Sequence, residues 1–318
     1  MPATARTLGK DATGASQHNG LPASLRVTHP ERVIDKQSGI TKLQLVQCYA
    51  AMAPLLLPHL KDRPVALVRA PDGLDGERFF QKHAGPAALA GVTRLPREID
   101  PSHPPLLKID SLQGLLSAAQ MNTIELHTWN GTDRAIGTPD RMIFDLDPGE
   151  NVDWPRTREG TRLVRAFLQD LGLPAVLKTS GGKGMHIVVP LRPQYDWETV
   201  KAFSRAIVLR LAQALPGHFV ARSGPKNRIG RIFIDYLRNG FGATTVAAWS
   251  VRARPGLPVS VPIAWDELDG LPGSAHWTLL TLGDRLATGN TPWAHYDSSR
   301  ISLTDAMRRL DFRPDQGA

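Results

Sequence analysis

The sequence predicts an α+β protein, with mixed or antiparallel sheets flanked by helices. Three observations carry that expectation. Strand-length apolar runs occur in hairpin-like pairs, as at Val176–Val189 with glycines between the two arms. Segments with apolar residues at helical spacing lie between such pairs, and the length of each implies a crossover rather than a tight turn. At 318 residues the chain can also bury one large core or two modest ones, which suits sheets covered by helices.

Taken in order, residues 1–22 are small, polar and glycine-containing and are expected to form a flexible tail. Leu25 to Ile34 has room for a short strand and a turn. Thr41 then caps a helix on which Leu43, Val46 and Ala50 recur at helical spacing. Arg32 and Lys42 flank this turn, and taken singly they read as solvated surface charges. Pro64–Arg69 reads as a strand and Pro71-Asp72-Gly73 as a turn. In the segment 77–83, Phe79 and Phe80 are adjacent among bases. An extended chain sends such neighbours to opposite faces, so one of them is expected to be exposed and free to stack on a base. The alternative is a pair shared between two apolar layers.

Pro96–Pro105 is proline-rich and reads as irregular. Ser111 caps a short helix with Leu112, Leu115 and Ala119 on one side. Thr123–Trp129 alternates as a strand, setting Glu125 and His127 opposite Ile124, Leu126 and Thr128. Pro155 opens a helix that carries Leu163, Val164, Phe167 and Leu168 and stops at Gly172. Asp196 opens another, with Val200, Phe203, Ile207 and Leu211 on one face and Pro216-Gly217 after it. A last helix is expected around Ser302–Leu310.

Composition narrows the function. Lysine and arginine number 38 against 30 acids, a net charge of +8 that favours a polyanionic partner. Cys48 is the single cysteine, which excludes an internal disulfide and any multi-cysteine zinc site and fits a reducing cytoplasm. No apolar run approaches the roughly 20 residues of a membrane span, and the opening residues lack a signal-peptide core, so a soluble, unexported protein with no membrane partner is expected.

Three stretches carry chemistry. Met142–Gly149 reads as a strand ended by a Pro-Gly turn, with Asp145 and Asp147 on one face and Phe144 and Leu146 on the other. Carboxylates two residues apart on a strand sit about 6 Å apart and repel by roughly 3 kcal/mol at an effective dielectric near 20, a penalty that a divalent cation reverses. Surface acids on an edge strand are the plainer alternative.

The second stretch, Thr179-Ser180-Gly181-Gly182-Lys183-Gly184, joins two strands and can wrap phosphates through backbone N–H groups and a lysine charge. It lacks the Walker A spacing and is followed by a β-branched run instead of a helix. A simple hairpin turn is the alternative. The third stretch, Val220–Arg254, holds seven bases (Arg222, Lys226, Arg228, Arg231, Arg238, Arg252, Arg254) against the single acid Asp235. Asp235 projects from a short strand, opposite Ile232 and Ile234. Three aspartates, a phosphate loop and a basic tract fit two-metal phosphoryl transfer, with carboxylates as the natural ligands of hard cations.

The motifs Asp145-Leu-Asp147-Pro-Gly, Thr179-Ser-Gly-Gly-Lys-Gly-Met-His186, Ile234-Asp235-Tyr-Leu-Arg-Asn239 and Trp249-Ser-Val-Arg252-Ala-Arg254 occur in this order. Together they resemble the polymerase domain of bacterial ligase D, in the archaeo-eukaryotic primase superfamily. The resemblance runs from about Leu25 to the final helix.

It implies a primase-like catalytic core within residues 23–312, with 313–318 as a second tail. It also implies template-directed and end-extending transfer of NTPs or dNTPs, ribonucleotides preferred, onto 3′ ends at gaps and breaks during non-homologous end joining. Two divalent cations, Mn²⁺ or Mg²⁺, are the implied cofactors, and Asp145, Asp147 and Asp235 resemble their ligands. His127, Ser180, Lys183, His186, Arg238, Arg252 and Arg254 resemble nucleotide contacts. Arg32 and Lys42 resemble the pair that grips a downstream 5′-phosphate, and Phe79 and Phe80 the aromatics that stack at the template.

DNA ends with a 5′-phosphate, in gapped or nicked duplex, are the implied partners, with the end-binding protein Ku and a DNA ligase module as further ones. The implied location is the bacterial cytoplasm, at the nucleoid. No KxDG ligase motif occurs, so a stand-alone polymerase and a module of a longer protein both remain open. From the residues alone, a two-metal nuclease and a non-catalytic DNA-end-binding adaptor also remain open.

Overall fold

A short hairpin, β1 (Val33–Asp35) and β2 (Ile40–Thr41), delivers the chain into α1 (Lys42–Leu60). The computed structural model describes residues 21–22, 25–85 and 88–314. Most of the expected N-terminal tail and the last four residues therefore lie outside the described residues. Leu21, inside the expected tail, is buried against the core.

Thr41 caps α1 as its sequence implies. Its side chain accepts from the Gln44 N–H while Gln44 Oε1 accepts from the Thr41 N–H, a reciprocal capping box. By length and composition α1 could cross a membrane, which revises the expectation that no apolar run approaches that size. Its apolarity has another outlet, because Leu45, Val46, Tyr49, Met52, Leu56 and Leu60 are all buried in the core.

Two six-stranded sheets follow. The first contains β3 (Val65–Arg69), β4 (Phe79–Gln81), β5 (Thr93–Arg94) and β6 (Leu107–Lys108). After α2 (Leu112–Gln120), β7 (Thr123–Thr128) joins the same sheet. The second sheet begins with β8 (Arg141–Pro148) and continues, after α3 (Trp154–Asp170), with the hairpin β9 (Val176–Thr179) and β10 (Met185–Pro190). Beyond α4 (Trp197–Ala214) come β11 (Phe219–Val220) and β12 (Ile232–Asp235), also in the second sheet. β13 (Thr245–Val246) returns to the first sheet and β14 (Pro262–Ile263) to the second.

The strand orders are β13-β7-β3-β6-β5, with β4 on β3, and β11-β12-β8-β10-β9-β14. Every pairing is antiparallel except β11 with β12. This is the expected α+β class. The short helices α5 (Gly283–Thr288) and α6 (Thr304–Arg309) close the chain, α6 within the span expected for the last helix.

The period-2 alternation of the second sheet decides where the site forms. On β8, Met142, Phe144 and Leu146 enter a core made with α3 and α4, while Ile143 points the other way into the core built on the first sheet. Asp145 and Asp147 share the face of Ile143. His186 on β10 shares the face of Val188, and Asp235 is opposite in direction to Ile234. At one end the face between the sheets is filled by apolar side chains, and at the other it opens into a polar cleft.

Some boundaries differ from expectation. The first strand begins at Val33, at the end of the 25–34 span, and runs one residue past it to Asp35. β8 runs through Pro148, and the chain turns only at Glu150-Asn151, where Asn151 takes φ 64°. Gly149 is therefore the first residue of the turn and not one of its central pair, its carbonyl accepting from the Val152 N–H at 3.3 Å. Its place is fixed by close approach, since a Cβ there would lie 1.7 Å from the Arg228 carbonyl oxygen.

Candidate active site

The cleft has a volume of about 630 Å³ and is lined from both sheets, by His127 and Val246 on one side and Asp145, Asp147 and His186 on the other. Cross-strand register assembles its centre. Asp235 pairs directly with Asp145 between β12 and β8, and His186 pairs with Asp145 between β10 and β8. Oxygens of Asp145, Asp147 and Asp235 lie within 4.8 Å of one another. The structure thus unites three aspartates that the sequence separates by up to 90 residues.

Each carboxylate has a polar partner, an arginine for Asp235 and Asp147 and, for Asp145, a histidine that burial lowers to about 4. His186 Nε2 is 3.2 Å from Asp145 Oδ1, Arg238 Nε is 3.1 Å from Asp235 Oδ2, and Arg228 Nη1 is 3.0 Å from Asp147 Oδ2. The acids nevertheless titrate differently. Burial works to raise Asp145, but His186, Arg238 and Lys178 outweigh it and hold this carboxyl well below the usual range. Burial and the Asp145 charge push Asp147 up to about 6 in spite of Arg228. Burial raises Asp235 too, against the pull of Arg238. Three clustered carboxylates, two of them raised above the usual range, form a donor set that fits hard divalent cations.

The glycine-rich segment is both a hairpin turn and a wall of the cleft. β9 and β10 pair across it from Met185 with Thr179 onward. Gly184 sits so close to β8 that a Cβ would fall 1.7 Å from the Leu146 carbonyl oxygen, and Gly181 takes φ 66°. Ser274 stitches the turn by donating to Gly184 O and accepting from the Ser180 N–H at 3.0 Å. Ser180 Oγ accepts from the Gly182 N–H at 3.1 Å, leaving Lys183 exposed at the cleft.

The remaining wall hangs on one buried acid. Glu125 Oε2 is 2.6 Å from His127 Nε2, and Glu125 Oε1 accepts from the Ala253 N–H at 2.7 Å and faces Arg252 Nε at 3.2 Å. Burial raises the Glu125 carboxyl, but His127 and Arg252 together bring it down to about 2. Arg252 also donates to Ser180 O, so one guanidinium ties the strand acid to the glycine-rich turn. Asn239 holds the Arg238 turn against β8, accepting from Ile143 N and donating to Ile143 O, each at 2.8 Å.

His127, Ser180, Lys183, His186, Arg238, Arg252 and Arg254 all line the cleft. Arg32, Lys42, Phe79 and Phe80 do not. Lys42 is buried, contrary to the solvated charge expected of it singly, and its Nζ donates to Thr28 Oγ1 at 3.3 Å. Arg32 donates to Pro71 O, and their backbones meet where Lys42 N donates to Arg32 O. Phe79 and Phe80 are both about half exposed, where alternation alone asked for exposure of one. Phe80 reaches toward the cleft, its ring standing edge-on to His127 at 5.7 Å.

Sequence reasoning gave no role to Glu125, Arg228, Lys178 or Asn239. Arg228 carried a signal as part of the basic tract. Lys178 is buried beside Asp145, and burial with the Arg252 charge lowers it well below the lysine range. Its position next to Thr179-Ser180 was the available hint.

A carboxylate cluster set between two facing sheets defines a primase-like polymerase, an enzyme of nucleotidyl transfer. Residues 41–293 match the family model described as LigD, primase-polymerase domain. The chain belongs to that family, the polymerase domain of end-joining DNA repair proteins.

The "Polymerase Domain from Mycobacterium tuberculosis Ligase D in complex with DNA" superposes with a TM-score of 0.78 at 28% identity, over 88% of this chain and all of that one. The Multifunctional non-homologous end joining protein LigD of Pseudomonas aeruginosa is 49% identical over 310 residues, covering 97% of this chain and 37% of that protein. Its namesake in Mycolicibacterium smegmatis is 33% identical over 248 residues, 77% of this chain and 32% of that protein. The chain thus spans about a third of the length of these relatives. The nuclease and adaptor readings lose their support.

Proposed function

We propose that this domain fills gaps and extends 3′ ends at double-strand breaks, adding nucleotides, preferably ribonucleotides, opposite a template strand. The observation that carries the proposal is the meeting of Asp145, Asp147 and Asp235 opposite a turn that presents Ser180 and Lys183. Asp145, Asp147 and Asp235 would hold two divalent cations, Mn²⁺ or Mg²⁺. Such ions, when bound, lower the pKa of the attacking hydroxyl and neutralise charge on the phosphates.

The protein's own groups supply positioning. Lys183, Arg252 and Arg254 fit the β- and γ-phosphates of an incoming triphosphate, and the Ser180 hydroxyl and turn N–H groups suit phosphate oxygens. His127, on the facing sheet, and Arg238, beside Asp235, complete the nucleotide's surroundings. The primer 3′ oxygen then bonds to the α-phosphorus as the bond to the bridging oxygen breaks, and pyrophosphate leaves.

Arg32 and Lys42 serve a separate task, gripping a downstream 5′-phosphate. Phe79 and Phe80, exposed beside His127, stack on template bases, an interaction worth about 1–3 kcal/mol per base. The substrate is gapped or nicked duplex DNA, with Ku and a ligase module as partners in the bacterial cytoplasm.

Primer extension on a 5′-phosphorylated gapped duplex with Mn²⁺ and labelled ribonucleotides tests this reading. Wild type adds nucleotides and Asp147→Ala does not. Absence of addition by wild type, or equal extension by the variant, overturns it.

A further inference from the structure

Among the described residues, one cluster of side chains outside the cleft has the composition of a metal site. His83 Nε2 lies 3.0 Å from Asp100 Oδ2, and His103 Nδ1 lies 2.8 Å from Asp100 Oδ1. Ligand atoms of all three residues fall within 4.8 Å of one another. The two imidazoles stack at 4.8 Å between centroids, with planes 13° apart. One carboxylate therefore gathers two imidazole nitrogens, one on each oxygen. We propose that His83, Asp100 and His103 bind a divalent first-row transition ion of the zinc class, at a second metal centre separate from the aspartate cluster.

The backbone around the cluster is fixed before any side chain acts. Ala84 N donates to Pro105 O at 2.7 Å, and His83 forms an isolated bridge with Leu106, so the segments that carry the two histidines are stitched together. A turn in which His103 N donates to Asp100 O at 3.1 Å sets Asp100 and His103 on the same side, three residues apart. This arrangement lies in the proline-rich stretch 96–105, whose only regular element is the 3₁₀ turn Arg97–Ile99. The ligands are thus preorganised on two chain segments.

Ligand chemistry separates this centre from the cleft. Three carboxylates favour Mg²⁺ or Mn²⁺, whereas two imidazoles with one carboxylate favour Zn²⁺, Fe²⁺, Co²⁺ or Ni²⁺. A tetrahedral zinc ion with ligands at about 2.0–2.1 Å has ligand-to-ligand edges of about 3.3 Å. The two observed hydrogen bonds, 3.0 and 2.8 Å, end on different oxygens of Asp100, so a cation would take their place by drawing both imidazole nitrogens, already within 4.8 Å of the carboxylate and of each other, onto one ion. Three protein ligands leave a fourth position for water, and His103 is more than half exposed, which gives an ion a way in.

The consequence is local. A bound ion ties the end of β4, two residues beyond Gln81, to the irregular stretch 96–105. That fixes the strand that presents Phe79 and Phe80, without entering the chemistry of the cleft.

Titration of chelator-stripped protein with Co²⁺ in the presence of excess Mg²⁺, followed by visible absorption, tests the proposal independently of polymerase activity. The Asp145→Asn/Asp147→Asn protein isolates the histidine centre from the aspartate cluster. In that background one equivalent of Co²⁺ binds with a d–d spectrum, Zn²⁺ displaces it, and His103→Ala weakens binding by at least about tenfold. His103 is exposed, so its variant keeps the fold, as circular dichroism would verify; His83→Gln gives the same loss. Absence of a Co²⁺ spectrum, or one unchanged by both histidine substitutions, overturns the proposal.

Discussion

Asp145 and Asp235 are direct cross-strand partners, two acids paired between adjacent antiparallel strands where like charges are destabilising. With Asp147 they make a cluster that costs the fold stability, the pattern expected where function outweighs packing. Replacing one acid should therefore stabilise the protein while abolishing its chemistry. In divalent-free buffer at pH 7.5, Asp147→Asn is expected to gain roughly 1 kcal/mol, a figure discounted for the solvent-exposed position of this side chain. Nucleotide addition should fall by at least about a hundredfold. Chemical denaturation and primer extension on the same preparations check both halves.

The raised Asp147 carboxyl sets a pH dependence. A carboxyl whose folded pKa lies above its unfolded value favours the folded state when protonated, and its ionisation costs stability as pH rises from about 3.8 toward about 6. Cations compete with that proton. The rise in Tm produced by saturating Mn²⁺ should be larger at pH 7.5 than at pH 5.5, and absent in Asp145→Asn/Asp147→Asn. Thermal unfolding at the two pH values measures it, and equal increments would remove Asp147 from the competition.

Glu125 is a positioning residue, holding His127 and Arg252 through one carboxylate. Glu125→Gln keeps the shape but weakens both charged contacts. KM for the nucleotide is expected to rise about tenfold with a smaller fall in kcat, since bonds to charged groups contribute about 1.5–3 kcal/mol each. A purely structural role would instead lower the yield of folded protein with KM unchanged.

Lys42 lies away from the cleft. Lys42→Ala should weaken gap filling only when the downstream strand carries a 5′-phosphate. Rates measured on paired substrates with and without that phosphate decide it, and an equal loss on both excludes Lys42 from phosphate binding.

Gly184 packs against β8 with no room for a side chain. Gly184→Ala should destabilise the β9–β10 turn by about 1–3 kcal/mol through overpacking and shift Lys183 out of register with the aspartates. Denaturant midpoints and nucleotide KM report the two effects separately.

Much of this was legible in the chain. Alternation placed Asp145 and Asp147 together on one face of a strand, caps at Thr41, Ser111 and Asp196 marked helix starts, and the ordered motifs pointed to the family. These are local properties, decided by side-chain periodicity and by bonds that span three residues. The sequence alone also located the basic tract that supplies Arg228, Arg238, Arg252 and Arg254.

Only tertiary structure decided which groups meet. Register between β12 and β8 brought Asp235 onto Asp145, and the packing of one sheet against the other set Glu125 and His127 across from the glycine-rich turn. The burial of Lys42 and the His83–Asp100–His103 cluster were equally out of reach. The physical reason is common to all of them. Burial and charge pairing depend on neighbours distant in sequence, and no local pattern encodes a distance between segments that meet only when two sheets close on each other.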